Sequence, residues 1–350
     1  MKKLEPQARN AYSEDPTDMD SNDFALMLLL DGCFVVWTII SRSLRDGGLE
    51  DLQNPIDSKP WPLPVVAQDM LILENQLPFF LLEHLYDFAN FRGHSSTNST
   101  SLAVLAFEFF RIFLNLKMKM PSNIEGRQFH HLLHLVHSCI SPPENQDGGE
   151  SSTGSRWGEE YGGASFLWIP TATQLMHSGV YPCRKMYAAN ILDITFDYEN
   201  IRIPPVEVDH TSNRIFGNLI AFEQCNEDMN PHFTAYAIAM DCMVHTAFDA
   251  TLLEDRGIIT NSWGDSKEVP KFFNNLCKGV MIDMNRYYLL NVFTHIKKHR
   301  SKKYNTWMAR LNRDYFSSPW AGISFVEAVV LLFIGIIETI YTVLQYLKSK

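Results

Sequence analysis

At 350 residues, with 46% hydrophobic and 20% charged side chains, the chain can bury a large core, which excludes an intrinsically disordered protein. Its net charge of −10 is unevenly spread: residues 1–294 carry 21 Lys/Arg against 37 Asp/Glu, which excludes a nucleic-acid-binding face in that bulk. Six cysteines (Cys33, Cys139, Cys183, Cys225, Cys242, Cys277) include no CxxC pair and read as buried, reduced thiols.

The first residues, MKKLEPQARNAYSEDPTD, hold two lysines but no apolar stretch, so they do not read as a signal peptide. The Asn98-Ser99-Thr100 sequon would matter only on a translocated chain. From Asp23 to Ser43 an apolar helical pattern, interrupted at Asp31-Gly32, predicts a buried helix rather than a membrane span. Residues 54–64, with four prolines, predict a loop. Residues 68–88 predict two helical segments meeting at Pro78, since proline suits the first turn of a new helix. Further helices are expected over Ser101–Asn115 and Gln128–Ile140.

Residues 141–165, rich in Gly, Ser, Glu and Pro, predict a flexible linker or insertion. Beyond it, Thr171 can cap a short helix that Gly179 ends in a left-handed turn. Alternation near 193–209 predicts a small β-hairpin or meander. Helices resume near Ser212, and a basic one is expected to reach about Leu311. The fold class is mainly α (α+β). The organisation reads as 1–140, the linker, 166–320 forming one domain with 21–140, and a transmembrane helix at 325–347.

The segments MLLLDGCFVVWTI, DMLILENQLPFFLLEHLY, NLIAFEQC, MDCMVHTAFDATLLEDRGIITNSWG and YFSSPWAGIS, in that order, resemble a plant family catalogued as domain of unknown function 247. The resemblance runs loosely from Glu5 to Tyr346. It implies a mostly helical plant protein with a C-terminal transmembrane segment and no established enzymatic activity. Some grass members are similar to proteins encoded at self-incompatibility loci. The chain departs from the family pattern in starting after its usual N-terminal stretch, and in carrying Glu338 where Gln is usual.

The tail decides between a membrane protein and a soluble one. Between Phe325 and Leu347, 14 of 23 residues are Leu, Ile, Val or Phe. Together they favour insertion by about 4–8 kcal/mol, against a cost of about 2.5–3.5 kcal/mol for Glu338 near the middle. Glu327 and Glu338 stand eleven residues apart, nearly three helical turns, so both lie on one face with Ser324, Thr342 and Gln345. Such a stripe on an apolar span should face protein rather than lipid. Seven Lys/Arg and no acid lie between His295 and Arg313, whereas only Lys348 and Lys350 follow the span. That bias predicts a cytosolic domain with a C-terminal anchor.

Three groups could carry chemistry. His130, His134 and His137 at i, i+4 and i+7 could hold zinc or copper, but without a spaced partner they read as a half-exposed, metal-free ladder flanking a core stripe. Glu74, before Asn75-Gln76, could act as a general acid, or the group could satisfy free N–H groups at a helix start. Glu223, Asp241 and Asp249 are acids inside apolar helices, and Arg214, His245 and Arg256 are the nearby candidate partners. No GxSxG, HExxH or Walker-type element is present.

The leading expectation is therefore a non-enzymatic, membrane-anchored recognition protein. Its partners would be the bilayer through the tail and an unknown protein or a second copy, with no nucleic acid, cofactor, metal or assigned catalytic residue. The alternatives are an enzyme of unfamiliar type using Glu74, Asp241 or the His130/His134/His137 face, and a soluble structural module.

Overall fold

The computed structural model describes residues 1–12, 19–46, 62–91, 100–114, 120–121, 123–141, 169–283, 286–301 and 319–348. Residues 142–165 of the expected linker, most of the proline-rich loop and the sequon's Asn98 and Ser99 lie outside them. The fold is mainly helical with a small β component. In chain order the helices are α1 Glu5–Arg9, α2 Ser21–Asp46, α3 Pro62–Asp69, α4 Phe79–Phe91, α5 Leu102–Phe113 and α6 Leu132–Ile140. They continue as α7 Ala172–His177, α8 His210–Cys225, α9 His232–Met243, α10 Ala247–Asp255, α11 Glu268–Leu276, α12 Leu290–Ser301 and α13 Pro319–Lys348.

The first helices form around α2, which packs against α4 and α5. Helix α2 runs unbroken through Asp31-Gly32, where the apolar pattern alone is interrupted. Gly32 instead lets α4 approach closely, because a Cβ there would fall 2.5 Å from Leu85 Cδ1. The inward half of α2, including Phe24, Leu28, Val36 and Ile39, is buried, whereas Leu26, Leu30, Phe34 and Trp37 face outward. The expected buried helix is thus buried on one side only.

Around Pro78 the outcome differs from the expected pair of helices. Helix α3 starts at Pro62, two residues before the expected loop ends, because proline fits a first turn whose N–H groups have no partner. It stops at Asp69, and Leu73–Asn75 form only a short 3-10 turn before α4. Ser101 caps α5 as expected, its side chain accepting from Val104 N. Helix α6 begins at Leu132 rather than Gln128, because the His131 side chain serves as its N-cap.

Thr171 and Gln174 form a reciprocal capping box on α7, and Gly179 has φ 78°, as the sequence predicts. The hairpin is also present: β2 (Thr195–Asp197) runs antiparallel to β3 (Asn200–Ile203). Two strands were not anticipated. β1 (Tyr181–Arg184) runs parallel to β3, and β4 (Val206–Val208) runs parallel to the distant β5 (Ile259–Asn261). A parallel partner leaves no local turn signal in sequence. The basic helix is described only to Ser301, so its expected extension to Leu311 lies outside the described residues.

One hydrophobic cluster runs from Ala8 to Ile296, drawing on residues both before and after 142–168. All six cysteines are free, but the expected burial holds fully for Cys139 alone: Cys183, Cys242 and Cys277 are half-buried, and Cys33 and Cys225 are exposed. Helix α13 takes no part in the core: none of its 25-residue apolar stretch Ile323–Leu347 is buried. The close α2–α4 crossing makes Gly32→Val destabilising by about 1–3 kcal/mol through overpacking. Adding Leu85→Ala should recover part of that loss, measured by chemical denaturation followed through tryptophan fluorescence.

Candidate functional site

Of the polar groups that the sequence singles out, His137 and Glu223 meet where α6 crosses α8 beside the start of α9. Helix α9 begins after Pro231, which offers no side-chain cap. Its first N–H groups turn instead to Glu223, in the last turn of α8. Phe233 N donates to Glu223 Oε1 at 2.8 Å, and Thr234 N and Thr234 Oγ1 donate to Oε2 at 2.7 and 2.6 Å. A carboxylate at a helix N-terminus also meets the positive end of the helix dipole. The fourth donor is His137 Nε2 on α6, 2.6 Å from Oε1. Each oxygen therefore accepts two hydrogen bonds, and the glutamate side chain is wholly shielded from solvent.

This corrects two expectations. The histidines do not form a half-exposed ladder: His134 and His137 are buried, and His130 is exposed and precedes the helix. Starting α6 at Leu132 breaks the 100° stepping that would have aligned all three. Sandwiching α6 between α5 and α8 then buries Leu135 and Cys139 as well as the expected stripe. Nor does Glu223 pair with a nearby cation. Arg214 sits at the surface 3.2 Å from Asp69, Arg256 donates to Pro182 O at 3.1 Å, and His245 faces Asp241.

Histidines also organise the beginning of α6. His131 Nδ1 accepts from His134 N, and His134 Nδ1 accepts from His130 N, both at 3.1 Å. The rings of His131, His134 and His137 surround Phe222, with centroids 5.1, 5.7 and 5.4 Å away. Burial, reinforced by the neighbouring His130, lowers His131 to about 4 and His134 to about 3. Neutral rings are what the caps require, since a protonated Nδ1 cannot accept. Gln76 adds a long-range contact: its Oε1 accepts from Leu133 N at 3.0 Å, while its Nε2 donates to Met70 O and Ile72 O. The expected amide at a helix start is thus real, but it serves α6 rather than α4. Glu74 is exposed and takes no part.

The other two acids lie apart from this centre. Asp249 binds two helix N-termini at once: it accepts from Thr246 N and Oγ1 within α10, and from Thr173 N and Oγ1 in the first turn of α7. Burial raises its pKa, but the hydrogen bonds from Thr173 and Thr246 outweigh that and leave it lowered. Asp241 on α9 is raised by burial, tempered by His245 and by a hydrogen bond with Asn274. Burial likewise pushes the Cys139 and Cys277 thiols up to about 12, away from thiolate chemistry.

One catalytic outline is present. Ser141 Oγ lies 3.5 Å from His137 Nδ1, on the side of the ring away from Glu223, so serine, imidazole and carboxylate fall in sequence. However, the hydroxyl donates to His137 O at 2.9 Å, closing the end of α6, and 3.5 Å is marginal for a second bond. A small cleft elsewhere is lined by Gln68, Glu207, Asp209, Thr211 and Phe216, and contains neither Glu74, Asp241 nor the histidines. Among the described residues, no three His, Cys, Asp or Glu groups gather around a point where a metal ion could sit.

Fold and site together define a helical domain cross-tied by buried polar groups and ending in a lone apolar helix. The chain belongs to the DUF247 family, described as plant protein of unknown function, whose profile matches residues 1–334. It is 28% identical to the UPF0481 protein At3g47200 of Arabidopsis thaliana, over 99% of this chain and 73% of that protein. It is also 24% identical to the putative UPF0481 protein At3g02645 of the same plant, over 47% of this chain and 31% of that protein. No solved structure matches the chain.

Two outcomes follow from the site. Glu223→Ala removes one partner of a buried pair together with the cap of α9, and should cost about 3–5 kcal/mol in urea unfolding. Because His131 and His134 titrate below the 6.5 of a free imidazole, unfolding takes up protons between about pH 6.5 and 3. Stability therefore falls as pH drops through that window. His131→Asn keeps a capping acceptor without the titration and should flatten the decline, read as Tm against pH.

Proposed function

We propose that this chain is a membrane-anchored recognition protein that acts by binding, its domain held in the cytosol and α13 crossing the bilayer. The observation that carries the reading is α13: one unbroken 30-residue helix whose apolar side chains are not buried by the other described residues. Thirty residues at 1.5 Å rise exceed the roughly 30 Å of a hydrocarbon core. Trp320 stands near one end and Tyr341 and Tyr346 near the other, where amphipathic rings favour the two interfaces. Thr339 and Thr342 donate their hydroxyls to Gly335 O and Glu338 O, so neither brings an unsatisfied group into lipid. The basic bias upstream supports the cytosolic placement.

The outward face of α2 supports the recognition half. Leu26, Leu30, Cys33 and Trp37 follow a 4-3-4 spacing along three turns, flanked by Leu29 and Phe34, with no charge among them. A seam of that spacing matches an apolar helix of a second copy or another protein. Binding rather than catalysis is supported by how the candidate groups are used, since Glu223, Asp249, His131 and Gln76 all spend their polar atoms on helix starts.

Carbonate extraction of membranes expressing the full chain tests the anchor; recovery in the soluble fraction would remove it. Glu338→Leu should leave the chain in the pellet but lower crosslinking through the exposed Cys33, as should Leu30→Glu. Crosslinking unchanged in both would eliminate self-association. Labelling of Ser141 by a fluorophosphonate, lost in Ser141→Ala, would instead favour catalysis.

A further inference from the structure

The β2–β3 hairpin is closed by a two-residue loop, Tyr198-Glu199, since Asp197 pairs with Asn200. Its first central position has φ 53°, a conformation that usually selects glycine. Tyrosine occupies it here, the one described non-glycine residue with positive φ, and its side chain is 86% exposed. Strain that holds a large aromatic ring in water asks for a reason outside the fold.

The surroundings supply one. Phe196, two residues before the tip, packs edge-on against His299 of α12, with centroids 5.8 Å apart. The hairpin tip is thereby set beside the C-terminal end of α12, where Lys298 is exposed and Arg300 is half-buried, each one helical step from His299. Nearby acids are largely matched: Asp193 pairs with Lys185 at 2.6 Å and Asp197 with Arg202 at 3.7 Å, which leaves Glu199 as the other exposed acid at the tip. A basic surface with a protruding tyrosine thus stands on an otherwise acidic chain. From Ser301 only residues 302–318 separate it from α13, and they hold four more Lys/Arg against Asp314. Fully extended, they reach about 60 Å at most.

We propose that Tyr198 and the basic end of α12 form a second membrane contact, which docks the domain onto an anionic leaflet. Tyr198 enters the headgroup region, where an amphipathic ring is favoured, and Lys298 faces acidic headgroups. The acidic remainder of the domain is repelled by the same leaflet, so the contact fixes which side turns toward the membrane. This inference rests on α13 being an anchor.

The test uses the full chain in nanodiscs of phosphatidylcholine, alone or mixed with phosphatidylserine, with Tyr198→Trp as the probe. The emission that this variant adds over the unaltered chain should shift blue and be quenched by brominated lipid when phosphatidylserine is present. Lys298→Gln in the same background should cut that quenching about fivefold, the worth of one lysine near such a surface, and high salt should abolish it. Probe emission that stays unquenched in a chain incorporated into the discs overturns the docking while leaving the anchor intact. Quenching equal in the two lipid mixtures overturns the electrostatic recognition. Failure of the chain to enter discs at all overturns both readings.

Discussion

Glu223 receives two backbone N–H groups from the start of α9, a threonine hydroxyl, and an imidazole that arrives from a helix 86 residues earlier in the chain. A carboxyl group shut away from water is costly unless its acceptor capacity is filled, and here it is filled from two directions at once. The requirement fixes more than one bond. Helix α6 must present His137 at the level of the last turn of α8, which places Phe222 among three imidazole rings. Helix α9 must also begin where Pro231 ends the connection. The placement of α6, α8 and α9 follows from satisfying one side chain.

The same device recurs through the domain. Gln76 serves the first turn of α6 from fifty-seven residues away, and Asp249 serves α7 as well as its own helix. Distant side chains thus complete the starts of α6, α7 and α9, alongside the local caps of α5, α6, α7, α8 and α10. That sets the limit of what can be read in sequence. The boxes at Thr171 and Thr246, and the glycine turn at 179, are local patterns and can be recognised in a string of letters. The choice of Glu223's partner cannot, because nothing in the spacing of His137 and Glu223 marks them as neighbours.

Other differences have the same origin. Periodicity extended the helix expected over Gln128–Ile140 back to Gln128, but a histidine acting as an N-cap, an uncommon choice, starts it at Leu132 and removes His130 from the ladder. The hairpin at Thr195–Ile203 was legible because antiparallel strands sit side by side in sequence; β1 and β5 were not, because their partners are parallel and remote. The tail was legible as a long apolar helix, but composition alone does not set it apart from α2, whose stretch Ser21–Ser43 is nearly as apolar. What separates them is that 44% of that stretch is buried and none of Ile323–Leu347 is, among the described residues.

The hydrophobic cluster that draws on both sides of residues 142–168 has a consequence for a broken chain. Cutting the backbone inside that stretch would sever no described helix, strand or buried contact. The two pieces would still share one interior, joined by the His137–Glu223 bond and by the packing of α6 on α8. A nicked molecule should therefore persist as a single particle, its fragments parting only when the interior itself melts.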